Sequence, residues 1–93
     1  MEIAYEVFYH PLVLKKDIPA LAEVWKERIK SAIEQKLVQS PELFGLPLRT
    51  SLKGHRKLRV GDYRVVFKIE RKSVYILAIL HRARVYQFTS KRI

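Results

Sequence analysis

Residues 55 to 81 constrain this chain more than any other stretch. "HRKLRV", "DYRVVFKIE" and "SVYILAILH" follow one another, with only short turn signals between them. In the second segment Tyr63, Val65, Phe67 and Ile69 alternate with Arg64, Val66, Lys68 and Glu70. A period of two is the signature of a strand with two unlike faces. Gly61-Asp62 is a tight-turn pair, and the Glu70 to Ser73 stretch is a weaker one. Three strands joined by such short turns can only pair antiparallel, as a meander. The third segment is apolar on both faces, which predicts an interior strand.

The N-terminal half adds one strand and one long helix. "EIAYEVFY" alternates Ile3, Tyr5, Val7 and Tyr9 against Glu2, Ala4, Glu6 and Phe8, and His10-Pro11 ends it. "LVLKK" can form a short helical turn. Asp17 reads as an N-cap with Pro19 in the first turn, opening a helix whose apolar residues run from Ile18 through Leu21, Trp25, Ile29 and Ile33 to Leu37. The helix should stop near Gln39, before Ser40-Pro41. "SPELFGLPLRTSLKG" then reads as a surface loop. The expected fold is α+β: a small antiparallel sheet of about four strands, with N-terminal helices packed on one face and the other face open.

At 93 residues the expectation is a single domain over 1–93. No cysteine is present, so disulfides, thiolate metal sites and a cysteine nucleophile are excluded. No apolar run approaches membrane-spanning length, and no signal segment opens the chain, so a cytoplasmic protein without a membrane partner is expected. Nineteen Lys and Arg against nine Asp and Glu leave a net charge of +10. That imbalance favours a polyanionic partner, with nucleic acid first among the candidates.

Several cations fall where such a partner could be held. Lys57 and Arg59 share one face of their strand, while Arg56 and Leu58 take the other. Arg64 follows the turn, and Arg82 comes late in the next antiparallel strand, so the two can share one end of the sheet. Arginine can grip a phosphodiester with a bidentate fork. Lys53, Arg71, Lys72, Lys91 and Arg92 also fit ordinary solvated positions. His10, His55 and His81 have no acidic partners at ligand spacing, so neither a metal site nor another cofactor is expected. Gly45, Gly54 and Gly61 do not have phosphate-loop spacing.

"PLRTSLKGHRKLRVGDYRVVFKI" followed by "VYILAILHRARVY" closely resembles the RelE/ParE superfamily of type II toxin–antitoxin toxins. The resemblance spans nearly the whole chain, including "KKDIPAL" and "SPELFG". It implies a toxin of the RelE branch, a ribosome-dependent, metal-free mRNA endoribonuclease that inhibits translation. Cleavage would proceed by attack of the ribose 2′-OH, giving a 2′,3′-cyclic phosphate. The alternatives are a ParE-like DNA gyrase inhibitor and a nucleic-acid-binding module without catalysis. By position in the motif, Lys57, Arg64, Arg82 and Tyr86 are implied as catalytic residues. Lys57 would act as base or as a further cation, and Tyr86 would stack on a base or transfer a proton. His55 stands where the family has a second lysine, and Tyr86 follows Arg82 at a shorter spacing than in the best-known member. His55 and His81 are candidate acid or base groups, and Lys53, Arg56, Arg59 and Arg84 candidate RNA contacts. The implied partners are mRNA, the ribosome and a cognate antitoxin with an acidic, amphipathic segment.

Overall fold

A computed structural model describes residues 4–44, the backbone of 46–47, and residues 54–84. Five strands form one sheet: β1 (Glu6–Tyr9), β2 (Leu46–Pro47), β3 (Arg56–Val60), β4 (Tyr63–Glu70) and β5 (Ser73–His81). Their order is β1-β5-β4-β3-β2. The meander is antiparallel throughout, as its short turns require. β1 differs, since it lies parallel to β5 at the far edge, which makes the sheet mixed. The chain leaves β1, crosses one face as helix, and starts the meander at the opposite edge. β5 is interior, as its apolar faces predict.

The helical layer departs from expectation at its start. A π-helical turn, Val13–Asp17, comes first, with the N–H of Ile18 donating to the carbonyl of Val13 at 2.9 Å. Helix α1 begins only at Glu23, behind Ala22, and no side chain caps it. Asp17 is therefore not an N-cap. It is buried, and its Oδ2 accepts the backbone N–H of Ile79 at 2.9 Å. A buried strand N–H with no ladder partner is costly, so it claims the carboxylate ahead of a solvated helix end. α1 runs to Ala32 and continues through a second π-helical turn, Ile33–Leu37, so the helix ends close to Gln39 as read.

Val13, Leu21, Ile29, Ile33 and Leu37 bury their side chains against Leu58, Val60, Val65, Phe67, Val74, Ile76 and Ile79. The opposite sheet face carries a smaller buried pair, Val66 and Ala78, with Leu77 and Leu80 packed beside it. A β-bulge explains why β5 is apolar all along. Val66 pairs with Ala78 but Phe67 pairs with Ile76, so Leu77 is one extra residue in β5. The bulge shifts the alternation, which brings Ile79 back to the core and sends Leu77, Ala78 and Leu80 to the open face. No helix among the described residues is long and apolar enough to cross a membrane.

Candidate nucleic-acid interface

Strand alternation and register arrange the open face in four rows. Leu58, Val60, Val65 and Phe67 point to the helical core, so Lys57, Arg59, Arg64, Val66 and Lys68 point away from it. Arg59 pairs with Arg64, which pairs with Leu80, and this row lies at the Gly61-Asp62 end. The next row is Lys57, Val66 and Ala78. Below it come Lys68, Tyr75 and Phe8, and the last row holds Glu70, Ser73 and Glu6. Charge therefore changes along the face, from arginines at one end to carboxylates at the other.

The arginine end is built on the Gly61 turn. Gly61 has φ +57°, and a Cβ there would lie 2.5 Å from Cη2 of Trp25, so glycine is required twice over. The turn's carbonyls then position both arginines. Arg64 Nη1 donates to the carbonyls of Gly61 and Tyr63, each at 2.9 Å. The backbone N–H of Arg82 donates to the carbonyl of Asp62 at 2.9 Å, at the start of a 3-10 turn, Arg82–Arg84. Burial lowers the pKa of Arg64 below the ordinary arginine value, and Arg59 and Arg82 lower it further, against a smaller opposing pull from Asp62. Like charges facing each other across a strand pair are unfavourable by themselves. They form a site that attracts an anion.

Residues 5–86 match the family model described as the ParE toxin of the type II toxin–antitoxin system parDE. The chain belongs to the RelE/ParE superfamily of toxins. Among solved structures, the toxin–antitoxin complex RelBE2 of Mycobacterium tuberculosis is similar, with 28% identity and TM-score 0.78 over 87% of this chain and 94% of that one. An Escherichia coli RelE with two arginines replaced by alanine, in the free state, has 25% identity and TM-score 0.75, covering 98% and 99% of the two chains. The archaeal RelE–RelB complex of Pyrococcus horikoshii has 27% identity and TM-score 0.61, covering 88% and 99%. No curated protein matches significantly.

For this RelE/ParE toxin, the structure brings Arg64 and Arg82 to one end of the sheet and puts Lys57 and Arg59 on the same face as Arg64. Arg56 faces the other side, with Leu58. His81 also lies toward the helices: its Nδ1 accepts the N–H of Ala83 at 3.2 Å, and its ring meets Tyr63 edge-on at 5.8 Å. Tyr63 packs in turn on Trp25 at 4.8 Å, over which the Arg28 guanidinium stands at 4.5 Å. Arg84 lines a cleft on that side with Lys16, Asp17 and His81. His55 is half-buried just before β3, and its Nδ1 has no hydrogen-bond partner among the described residues. Lys53 and Tyr86 lie outside the described residues. Sequence reasoning missed the row of Phe8, Tyr75 and Lys68. Its signal was an aromatic residue, Phe8, at the polar phase of β1.

Proposed function

We propose that this toxin is a ribosome-dependent mRNA endoribonuclease that stops translation in the cytoplasm. The observation that carries the reading is Arg59 and Arg64 paired on the open face, with Arg82 at the same end of the sheet and Lys57 in the adjoining row. Two arginines held by turn carbonyls can clamp the oxygens of a scissile phosphodiester and offset the charge that grows on them during attack. The nucleophile is the neighbouring ribose 2′-OH, so no metal-activated water is needed. A bond forms from O2′ to phosphorus as the bond to O5′ breaks, leaving a 2′,3′-cyclic phosphate and a 5′-OH. One group must take the 2′-OH proton and another must give one to O5′. Lys57, in its adjoining row, and Tyr86 are assigned these roles, with His55 as the remaining candidate.

Two of the similar structures are toxin–antitoxin complexes, which supports a cognate antitoxin, and the +10 charge supports an acidic segment in it. Purified toxin added to translating ribosomes should cut mRNA in the decoding site. Arg82→Ala should abolish the cuts and leave antitoxin binding intact. Growth arrest by wild-type toxin without any mRNA cleavage would overturn the reading. The alternative, a ParE-like inhibitor of DNA gyrase, shares only the family description with this chain and is not favoured. Loss of supercoiling activity that persists with Arg64→Ala would select it.

A further inference from the structure

The lower half of the open face has no part in that chemistry, yet it carries a built feature. Phe8 on β1 and Tyr75 on β5 are register partners, and their rings stack at 5.3 Å with an interplanar angle of 20°. Phe8 is 45% exposed, although the strand's buried side is already supplied by Tyr5, Val7 and Tyr9. Lys68, the partner of Tyr75 in β4, holds its Nζ 5.8 Å from the Tyr75 ring centroid and 3.2 Å from Glu70. An edge strand can be steadied by a cross-strand aromatic pair alone. That role does not call for a phenyl ring left this exposed, or for an ammonium group over Tyr75 on the other side of the stack.

We infer that the Phe8–Tyr75 stack, flanked by Lys68, is a platform for a base of single-stranded RNA. Aromatic faces beside cations along a basic track are how single strands are held without reading sequence. The platform continues the proposed cleavage surface. Lys68 lies four residue steps along β4 from Arg64, about 13 Å, so the base held here lies away from the scissile linkage. Lys57 lies between the two ends, in the row of the buried pair Val66 and Ala78. Glu6 and Glu70, in the row beyond, repel phosphates and end the track at Phe8. This inference rests on reading the open face as an RNA surface.

A short single-stranded RNA carrying photoreactive bromouridine tests it, with binding followed by fluorescence anisotropy and crosslinks mapped by mass spectrometry. Crosslinks are expected at Phe8 or Tyr75. Phe8→Leu, which keeps apolar packing but removes the ring, should weaken binding on the order of tenfold. Phe8→Trp should restore it, and thermal unfolding of each variant verifies that it folds. Crosslinks only elsewhere, unchanged affinity in Phe8→Leu, or a loss confined to antitoxin capture would each overturn the platform. RNA held at Phe8 by a toxin that never cuts mRNA would sink the nuclease reading alone. Cleavage with unchanged RNA affinity in Phe8→Leu would sink the platform alone.

Discussion

The Asp17 carboxylate and the backbone N–H of Ile79 meet at 2.9 Å across 62 residues of sequence. β1 stops at Tyr9, opposite Ile76, and the N–H of His10 makes the last bond to the carbonyl of Ile76. Beyond that point β5 has no neighbouring strand on this side among the described residues, and the aspartate supplies the acceptor a strand would have offered. The bulge at Leu77 sets which N–H faces it.

Asp17→Ala should therefore destabilise the fold by about 1–3 kcal/mol, the usual cost of stranding a buried donor. Asp17→Asn keeps an acceptor oxygen and should lose less. Denaturant unfolding of both variants measures the difference. Equal losses would show that the carboxylate's charge, and not its bond to Ile79, is what the fold needs.

The glycine of the Val60–Tyr63 turn leads to a second prediction. Gly61→Ala forces an L residue into φ +57° and drives its Cβ to 2.5 Å from Trp25. The backbone alone should cost about 1 kcal/mol or more, and the clash adds to it. Trp25→Leu is destabilising by itself but frees that space, so the double variant should lose less than the sum of the single losses. Strict additivity in unfolding measurements would refute the packing account. Because the same turn anchors Arg64 and Arg82, Gly61→Ala should also weaken anion binding.

Much of this was legible in the sequence, and what was not has a physical cause. Alternation in "DYRVVFKIE" placed Arg64 on the face opposite Val65, and two short turns then put Arg82 at the same end. Local pattern was enough there, because a meander's register is set by its turns. The partner of β1 was not legible, since parallel pairing with β5 joins the two ends of the chain and leaves no local signature. Asp17 looked like a cap for the same reason: its real partner, Ile79, is distant in sequence. Phe8 and Tyr75 become a pair only through that parallel register. Arg71 takes φ +55° at the β4–β5 turn, where no glycine marked a left-handed position.

Alkaline pH should destabilise the toxin through its first strand. Tyr9 is half-buried, and burial raises the pKa of its hydroxyl above the ordinary 10.0, with Glu34 adding to the effect. A phenol that ionises later in the folded chain than in the unfolded chain costs nothing below pH 10. Above it the unfolded chain releases its proton first, so folding loses stability as pH rises through the folded pKa. Melting temperature should fall more steeply with pH in wild type than in Tyr9→Phe, which keeps the ring but removes the ionising group. Matching slopes would mean that Tyr9 is not the responsible group.

The last prediction concerns the cationic end of the open face. Arg64 has its pKa lowered chiefly by burial and then by Arg59 and Arg82, so its charged form is less favourable folded than unfolded. Stability tied to this group therefore rises only at strongly alkaline pH, between the lowered folded pKa and the ordinary arginine value, and at neutral pH the folded chain carries the full repulsion. A bound anion relieves it. Inorganic phosphate should raise the melting temperature more than chloride at matched ionic strength. At ten times its Kd the gain is about 1.4 kcal/mol, and each kcal/mol is worth about 4–8 °C in a domain of this size. Arg64→Met removes one guanidinium from the cluster, and Arg82→Ala another, so each should shrink the surplus over chloride. A phosphate effect undiminished in both variants would place the anion elsewhere, and with it the phosphodiester that the toxin is proposed to cut.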